Sequence, residues 1–300
     1  MKRLLVTLIG IALLGTSCTT EPHSLSGPVN TAIDPNAWAL VPAGEFLMGM
    51  HNEPTPLDYA YEIMVTDVTN AQYAAYLNAA LAEGTVRIVN DQVVGYYAGD
   101  EFHGGRHEVP IEAGDWLHVP LSEPELRLAF DGTTFTAIPG YENHPMVMVT
   151  WFGARAYCEF YGWRLPTEAE WEKAARGVDG RAYPWGGDIA TNNANFYKSR
   201  DPFESANGGR GDTTPVGFYN GLNYEGYQTL DSASPYGLYD MAGNVWQWVG
   251  DIYAGTHDRT MRGGSLGDYG YNLRVWTRNS AGPDFFSPTV GFRCARDVSE

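Results

Sequence analysis

Regular hydrophobic periodicity is scarce in this chain, which limits it to folds built from short elements and long structured loops. The 35 Gly, 18 Pro and 40 aromatic residues (9 Trp, 19 Tyr, 12 Phe) are spread throughout, a texture of many short strands rather than a helical bundle. Three helices nevertheless declare themselves. The stretch Asn70 to about Glu83 follows Thr69, a good N-cap, and sets Tyr73, Tyr76, Leu77 and Leu81 on one stripe. Trp151 to Tyr161 follows Thr150 and places Ala154, Tyr157, Cys158 and Tyr161 on one face. The third starts at Thr167, with Glu170 completing a capping box and Pro166 sharpening the boundary, and runs to about Arg176.

The amino terminus fixes the compartment. Lys2 and Arg3 precede the apolar run Leu4–Leu14 and the small residues Gly15, Thr16 and Ser17. This is the layout of a secretory signal, and the run is too short for a membrane-spanning helix. Cys18 stands where a lipoprotein signal is cut and acylated, although Leu14 lies four residues before it rather than three. An ordinary cleaved signal with an incidental Cys is the plainer alternative. Lipidation predicts a lipid-anchored protein of the bacterial cell envelope, on the outer membrane where the host has one, because residue 19 is Thr and not Asp. The organisation that follows is a signal peptide at 1–17, a Ser/Thr/Pro/Gly-rich flexible tether at 18–37 and a domain at 38–297. Within the domain, 84–140 carries alternating segments such as Val86–Val89 and Phe135–Ile138 between Gly and Asp turns. That insertion reads as a pair of hairpins or an extended flap. The Asn/Gly/Tyr-rich stretch 192–234 reads as irregular.

Cleavage after residue 17 leaves 17 basic against 36 acidic residues, a net charge of −19. Such a surface repels phosphate backbones and argues against nucleic-acid binding. Only three Cys occur. If Cys18 carries lipid, Cys158 and Cys294 remain as a pair in an oxidising compartment, either bridged or as two buried thiols.

Four groups of segments carry a family resemblance. They are Val41-Pro42-Ala43-Gly44-Glu45-Phe46 with Asp67-Val68-Thr69-Asn70-Ala71-Gln72-Tyr73; His144-Pro145 and Trp151 with Ala156-Tyr157-Cys158 and Arg164–Glu172; Tyr236–Trp246; and Arg262-Gly263-Gly264-Ser265 with Gly291-Phe292-Arg293-Cys294. Over residues 38–297 the chain resembles the formylglycine-generating, or sulfatase-modifying-factor, family. The resemblance implies an α+β variant of the C-type-lectin-like fold with little regular secondary structure, and a Cys158–Cys294 disulfide. It also implies calcium, held through Asn244, Val245 and Gln247 and, at a second site, through Asn195, the Phe196 carbonyl and either Asn207 or Asp212. Gln247 stands where the family has Glu, so the first of these sites loses a charge.

One departure outweighs these agreements. Active members oxidise a sulfatase cysteine with two thiolates that hold copper shortly after the Arg-Gly-Gly-Ser segment. Here that stretch reads Leu266-Gly267-Asp268-Tyr269-Gly270-Tyr271-Asn272-Leu273. No alignment of it supplies a thiol, so no copper centre is expected. His103 and His107, the nearest-spaced His pair, are separated by Gly104-Gly105-Arg106, a poor frame for a metal site. Asp268 and Tyr269 stand where the family's chemistry occurs and are the candidate site residues. Two functions follow: a binding or structural module for an envelope protein, peptide or glycan, or a divergent metal-dependent oxidoreductase with replaced chemistry at Asp268.

Overall fold

The computed structural model describes residues 25, 27–101 and 110–298; Cys18, His103 and His107 lie outside them. In chain order the elements begin β1 (Trp38–Val41), β2 (Gly44–Met48), β3 (Glu53–Leu57), β4 (Tyr61–Met64) and α1 (Asn70–Glu83). Next come β5 (Val86–Val89), β6 (Gln92–Tyr97), β7 (Gly114–Pro120), β8 (Leu128–Phe130) and β9 (Phe135–Ala137). They are followed by α2 (Trp151–Phe160), α3 (Glu168–Arg176), the single turn α4 (Ala206–Gly209) and the two-residue strands β10 (Asn223–Tyr224) and β11 (Tyr227–Gln228). Last are β12 (Trp246–Ile252), β13 (Arg259–Arg262), β14 (Arg278–Ala281), β15 (Val290–Phe292) and β16 (Ala295–Asp297). The architecture is α+β, and no helix among the described residues is long and apolar enough to cross a membrane.

The helices form where their caps say they should. Thr69 and Gln72 close a capping box on α1, and Gly84, at φ 75°, ends it by donating its N–H to Ala80 and Leu81 carbonyls. Thr167 and Glu170 do the same for α3, and the Thr150 side chain accepts from Gly153 N on α2. Against these helices the chain lays small sheets. One has the order β14-β13-β12-β15, with β15 parallel to β12 and the other pairs antiparallel. A second has the order β1-β4-β16. Because β15 joins the first sheet and β16 the second, the last strands stitch the two together. Cys294 sits at that joint and bonds to Cys158 on α2, with 5.7 Å between the Cα atoms. The bridge implied by the resemblance is therefore present, and both half-cystines are fully buried.

The described residues of 84–140 form an antiparallel meander β5-β6-β7 and a hairpin β8-β9. These strands pack onto the body. Val86, Val93, Val119, Leu128 and Phe135 are buried in the same core as Tyr73, Leu77, Phe152 and Tyr157 of α1 and α2. Many aromatics pack in or against this core. Tyr73, Tyr76, Tyr157 and Phe292 pack ring against ring with centroids 5.2–6.0 Å apart.

The tether expectation is corrected for its last part. Thr31 is buried, its hydroxyl donates to Val216 O at 2.9 Å, and Asn220 Nδ2 donates to Thr31 O at 2.7 Å. Leu25 and Val29 pack on Phe218, Tyr219 and Tyr227. Side-chain to backbone hydrogen bonds and this apolar contact, which composition does not reveal, hold the segment on the body.

At the meander's centre, His118 of β7 lies under β6 where only glycine fits. A Cβ on Gly95 would stand 2.4 Å from His118 Cε1. Burial pushes the His118 imidazole down to about 4, below its ordinary 6.5. The neutral ring is therefore favoured by folding. Its contribution is whole above about pH 6.5 and is lost as pH falls toward 4, by about 3 kcal/mol in all. Urea titrations of the native protein and of His118→Gln at stepped pH should show their stability difference moving by that amount over that window. A pH-independent difference would contradict the buried neutral ring.

Candidate functional site

The segments that carry the resemblance converge on a buried polar frame. Arg164 donates to both oxygens of Glu170 (2.7 and 2.8 Å), which also caps α3 by accepting from Thr167 N. Arg262 binds Glu172 and the carbonyls of Val275 (2.8 Å) and Trp276 (3.3 Å), while Arg176 holds the other Glu172 oxygen at 2.8 Å. Arg293 is saturated. Its Nε donates to Gln247 Oε1, its Nη1 to Met64 O and Val65 O, and its Nη2 to Asp67 Oδ1 and Tyr239 O, all within 3.2 Å. Burial raises Asp67 to about 8 and Asp240 to about 6, and the Arg293 guanidinium offsets that rise only in part. Between the short strands and helices, these side chains tie the loops down.

On this frame rests the loop after Arg262. Gly263 and Gly264 take φ of 97° and 74°, a conformation that favours glycine. Asp268 then braces the turn: its Oδ2 accepts from Ser265 N (3.0 Å), Ser265 Oγ (2.7 Å) and Trp246 Nε1 (2.9 Å). That oxygen fastens the loop, and Asn272 Nδ2 lies 3.4 Å from the other, Oδ1. Leu273 plugs the core below, and the single 3₁₀ turn Gly270–Leu273 turns the tyrosines outward. Tyr269 and Tyr271 are 55% and 59% exposed, with parallel rings 6.0 Å apart. Tyr197, 43% exposed, meets Tyr269 edge-on at 5.1 Å, and its N–H donates to Asp268 O at 2.9 Å. Of this trio only Tyr269 was marked by the sequence. Tyr197 comes from more than seventy residues away, and no spacing rule connects it to the loop. A cleft of about 440 Å³ opens beside Leu266 and Gly267, walled by Pro124, Val147 and Pro288, with Arg127 and Arg210 on its lining.

The residues expected to hold calcium divide. Asn195 and Asn244 do meet, Asn195 Nδ2 lying 3.4 Å from Asn244 Oδ1, and Asn195 Nδ2 also donates to Asp212 O at 2.8 Å. Asn244 Oδ1 further accepts from Thr214 N at 3.0 Å. Gln247 is enclosed elsewhere: its Oε1 accepts from Trp171 Nε1 (2.7 Å) and Arg293 Nε (2.8 Å), and its Nε2 donates to Asp240 O. In this arrangement Gln247 Oε1 accepts two close donors and Asn244 Oδ1 one close donor beside the longer Asn195 contact. Val245 between them is a fully buried core residue. The Phe196 carbonyl accepts from Ser199 N, Asn207 Nδ2 donates to Gly211 O, and the Asp212 carboxylate is held by Arg127 (3.2 Å) and Tyr141 (2.6 Å). Among the described residues no group of three or more His, Cys, Asp or Glu is arranged to hold a metal.

Loop-rich α+β folding, the stitched sheets and this frame define a C-type-lectin-like domain of the formylglycine-generating type. Residues 26–298 match the sulfatase-modifying factor enzyme 1-like domain, and the chain belongs to that family. The formylglycine-generating enzyme of Streptomyces coelicolor is 30% identical, with 97% of each chain covered. The inactive C-alpha-formylglycine-generating enzyme 2 of Bos taurus is 41% identical over 162 residues, and the chain spans about half the length of that relative. The serine/threonine-protein kinase pkn1 of Chlamydia caviae is 39% identical over 180 residues, a quarter of its length. Among solved structures, PvdO from Pseudomonas aeruginosa superposes with a TM-score of 0.56 at 21% identity, covering 93% of this chain and 99% of PvdO. CarF gives 0.54 at the same identity, with 88% and 98% covered. These likenesses show the fold.

Proposed function

We propose that this chain is a lipid-anchored binding module of the cell envelope that has given up copper-dependent formylglycine formation. The observation that carries the reading is the exposed trio Tyr197, Tyr269 and Tyr271, set on a braced loop where active relatives place their thiolates. Large aromatic surfaces left to solvent on a rigid support are what peptide and glycan recognition uses. Two further points support it. Relatives at 41% and 40% identity bear the description inactive, and a kinase chain carries a related segment beside other sequence. The Asp268 Oδ2 oxygen braces the loop that presents the tyrosines, which favours a recognition surface over replaced chemistry there. The anchor rests on Cys18 and the signal-like residues before it.

The test uses the exported chain on arrays of short peptides and of bacterial glycans. A subset of probes should be captured, and Tyr269→Ala combined with Tyr271→Ala should weaken that capture by at least about tenfold. The melting temperature should stay within a degree or two, because both rings are exposed. Capture that is unchanged in the double variant, or absent on both arrays, contradicts this reading.

A further inference from the structure

The segment docked at the amino-terminal end limits how an anchored domain would sit on a bilayer. Seven residue steps separate Cys18 from Leu25, the first described residue, which packs with Val29 on Phe218, Tyr219 and Tyr227. However those steps are arranged, they reach at most about 25 Å. A domain of this length is roughly 45–50 Å across. An acyl group on Cys18 therefore cannot leave the docking cluster far from the lipid, and the far side of the domain cannot turn to it.

The surface beside that cluster has a matching character. The hairpin of β10 and β11 contributes Tyr224 and Tyr227 to the cluster that holds Leu25. Leu222 and Leu230 flank the hairpin and are 46% and 42% exposed. Leu222 O accepts from both Thr229 N (3.0 Å) and Thr229 Oγ1 (2.8 Å), so the two ends of the hairpin are fastened together. We infer that the face bearing Leu222 and Leu230 lies against the membrane. The partner is a lipid surface, engaged by two shallow apolar side chains and held there by the short leash. With a mature charge of −19 and Glu225 and Asp231 close by in sequence, the surface suits zwitterionic lipid better than anionic lipid. This inference rests on the lipid anchor proposed above.

The experiment uses the lipidated full chain in phosphatidylcholine vesicles that carry doxyl-labelled lipid. Leu222→Cys supplies one free thiol for a bimane probe, since Cys158 and Cys294 are bridged. The probe should be quenched by the doxyl lipid. Inserting about twenty Gly/Ser residues between Thr20 and Glu21 should abolish that quenching while the protein still sediments with the vesicles. A lipidated, sedimenting chain whose probe is not quenched overturns the orientation alone. Quenching that survives the insertion contradicts the leash as its cause and overturns the proposal. A chain shown by intact mass to carry no lipid overturns the anchor and the orientation together.

Discussion

Replacing Arg293 by methionine is expected to destabilise the fold by about 4–5 kcal/mol, the upper end of what breaking a buried ion pair costs. The fully buried guanidinium makes five hydrogen bonds, to Gln247, Met64, Val65, Asp67 and Tyr239. Methionine fills similar volume but takes one donor each from three carbonyls and from Gln247 Oε1, which keeps Trp171 Nε1, and strands a buried carboxyl. Asp67 Oδ2 already has no partner, so that carboxyl has nothing to fall back on. Arg293→Lys should recover little, because one ammonium cannot fork to acceptors on three sides. The double variant Asp67→Leu, Arg293→Met should recover the part owed to the stranded carboxyl but not the part owed to the carbonyls. Thermal and urea unfolding of the three variants measures this. An Arg293→Met protein that melts within a degree or two of the native one would show that the frame does not hold the loops.

Loss of the Cys158–Cys294 bridge should cost about as much by a different route. The bond spans 136 residues, and closing a loop of that length restricts the unfolded chain by about 4–5 kcal/mol. The pair also fastens α2 to the joint between β15 and β16, where the two sheets meet. Cys158→Ala should lower the melting temperature by on the order of 10 °C. Non-reducing peptide mapping of the native protein should recover the linked peptides. Free thiols at both positions in protein purified from the envelope would contradict the bridge.

What the sequence disclosed follows the range of the interaction involved. Helices α1, α2 and α3 could be read to within a residue or two because their caps are local: Thr69 with Gln72, Thr150 with Gly153, Thr167 with Glu170. The disulfide was legible from cysteine count and family likeness together. The meander at 86–120 showed its alternation but not its destination, since only packing reveals that β7 buries His118 beneath Gly95. The frame was hidden for the same reason. Arg262 and Glu172 stand ninety residues apart in the chain, and charged residues in sequence look like surface. Gln247 was legible as a motif position but not in its contacts. Its amide is wholly engaged by Trp171, Arg293 and Asp240, a fact of geometry that no motif position conveys. The docking of residues 27–37 was not legible because its apolar residues, such as Val29, are few and its hydrogen bonds through Thr31 reach residues about 185 positions away.

The claim that this family member has kept the fold while losing the oxidation turns on thiols. Cys158 and Cys294 are consumed by each other, and 266–274, where the copper-binding pair should stand, contains no cysteine. Asp268 is the only carboxylate in that segment, and its bracing oxygen already holds three donors. Hard oxygen ligands do not retain Cu(I) in any case. The direct measurement is to incubate the purified chain with copper, oxygen and a peptide bearing a sulfatase cysteine motif, then weigh the peptide by mass spectrometry. The cysteine should remain a thiol or a disulfide, with no aldehyde above a control lacking the protein. Aldehyde formed in proportion to the protein added would contradict the account.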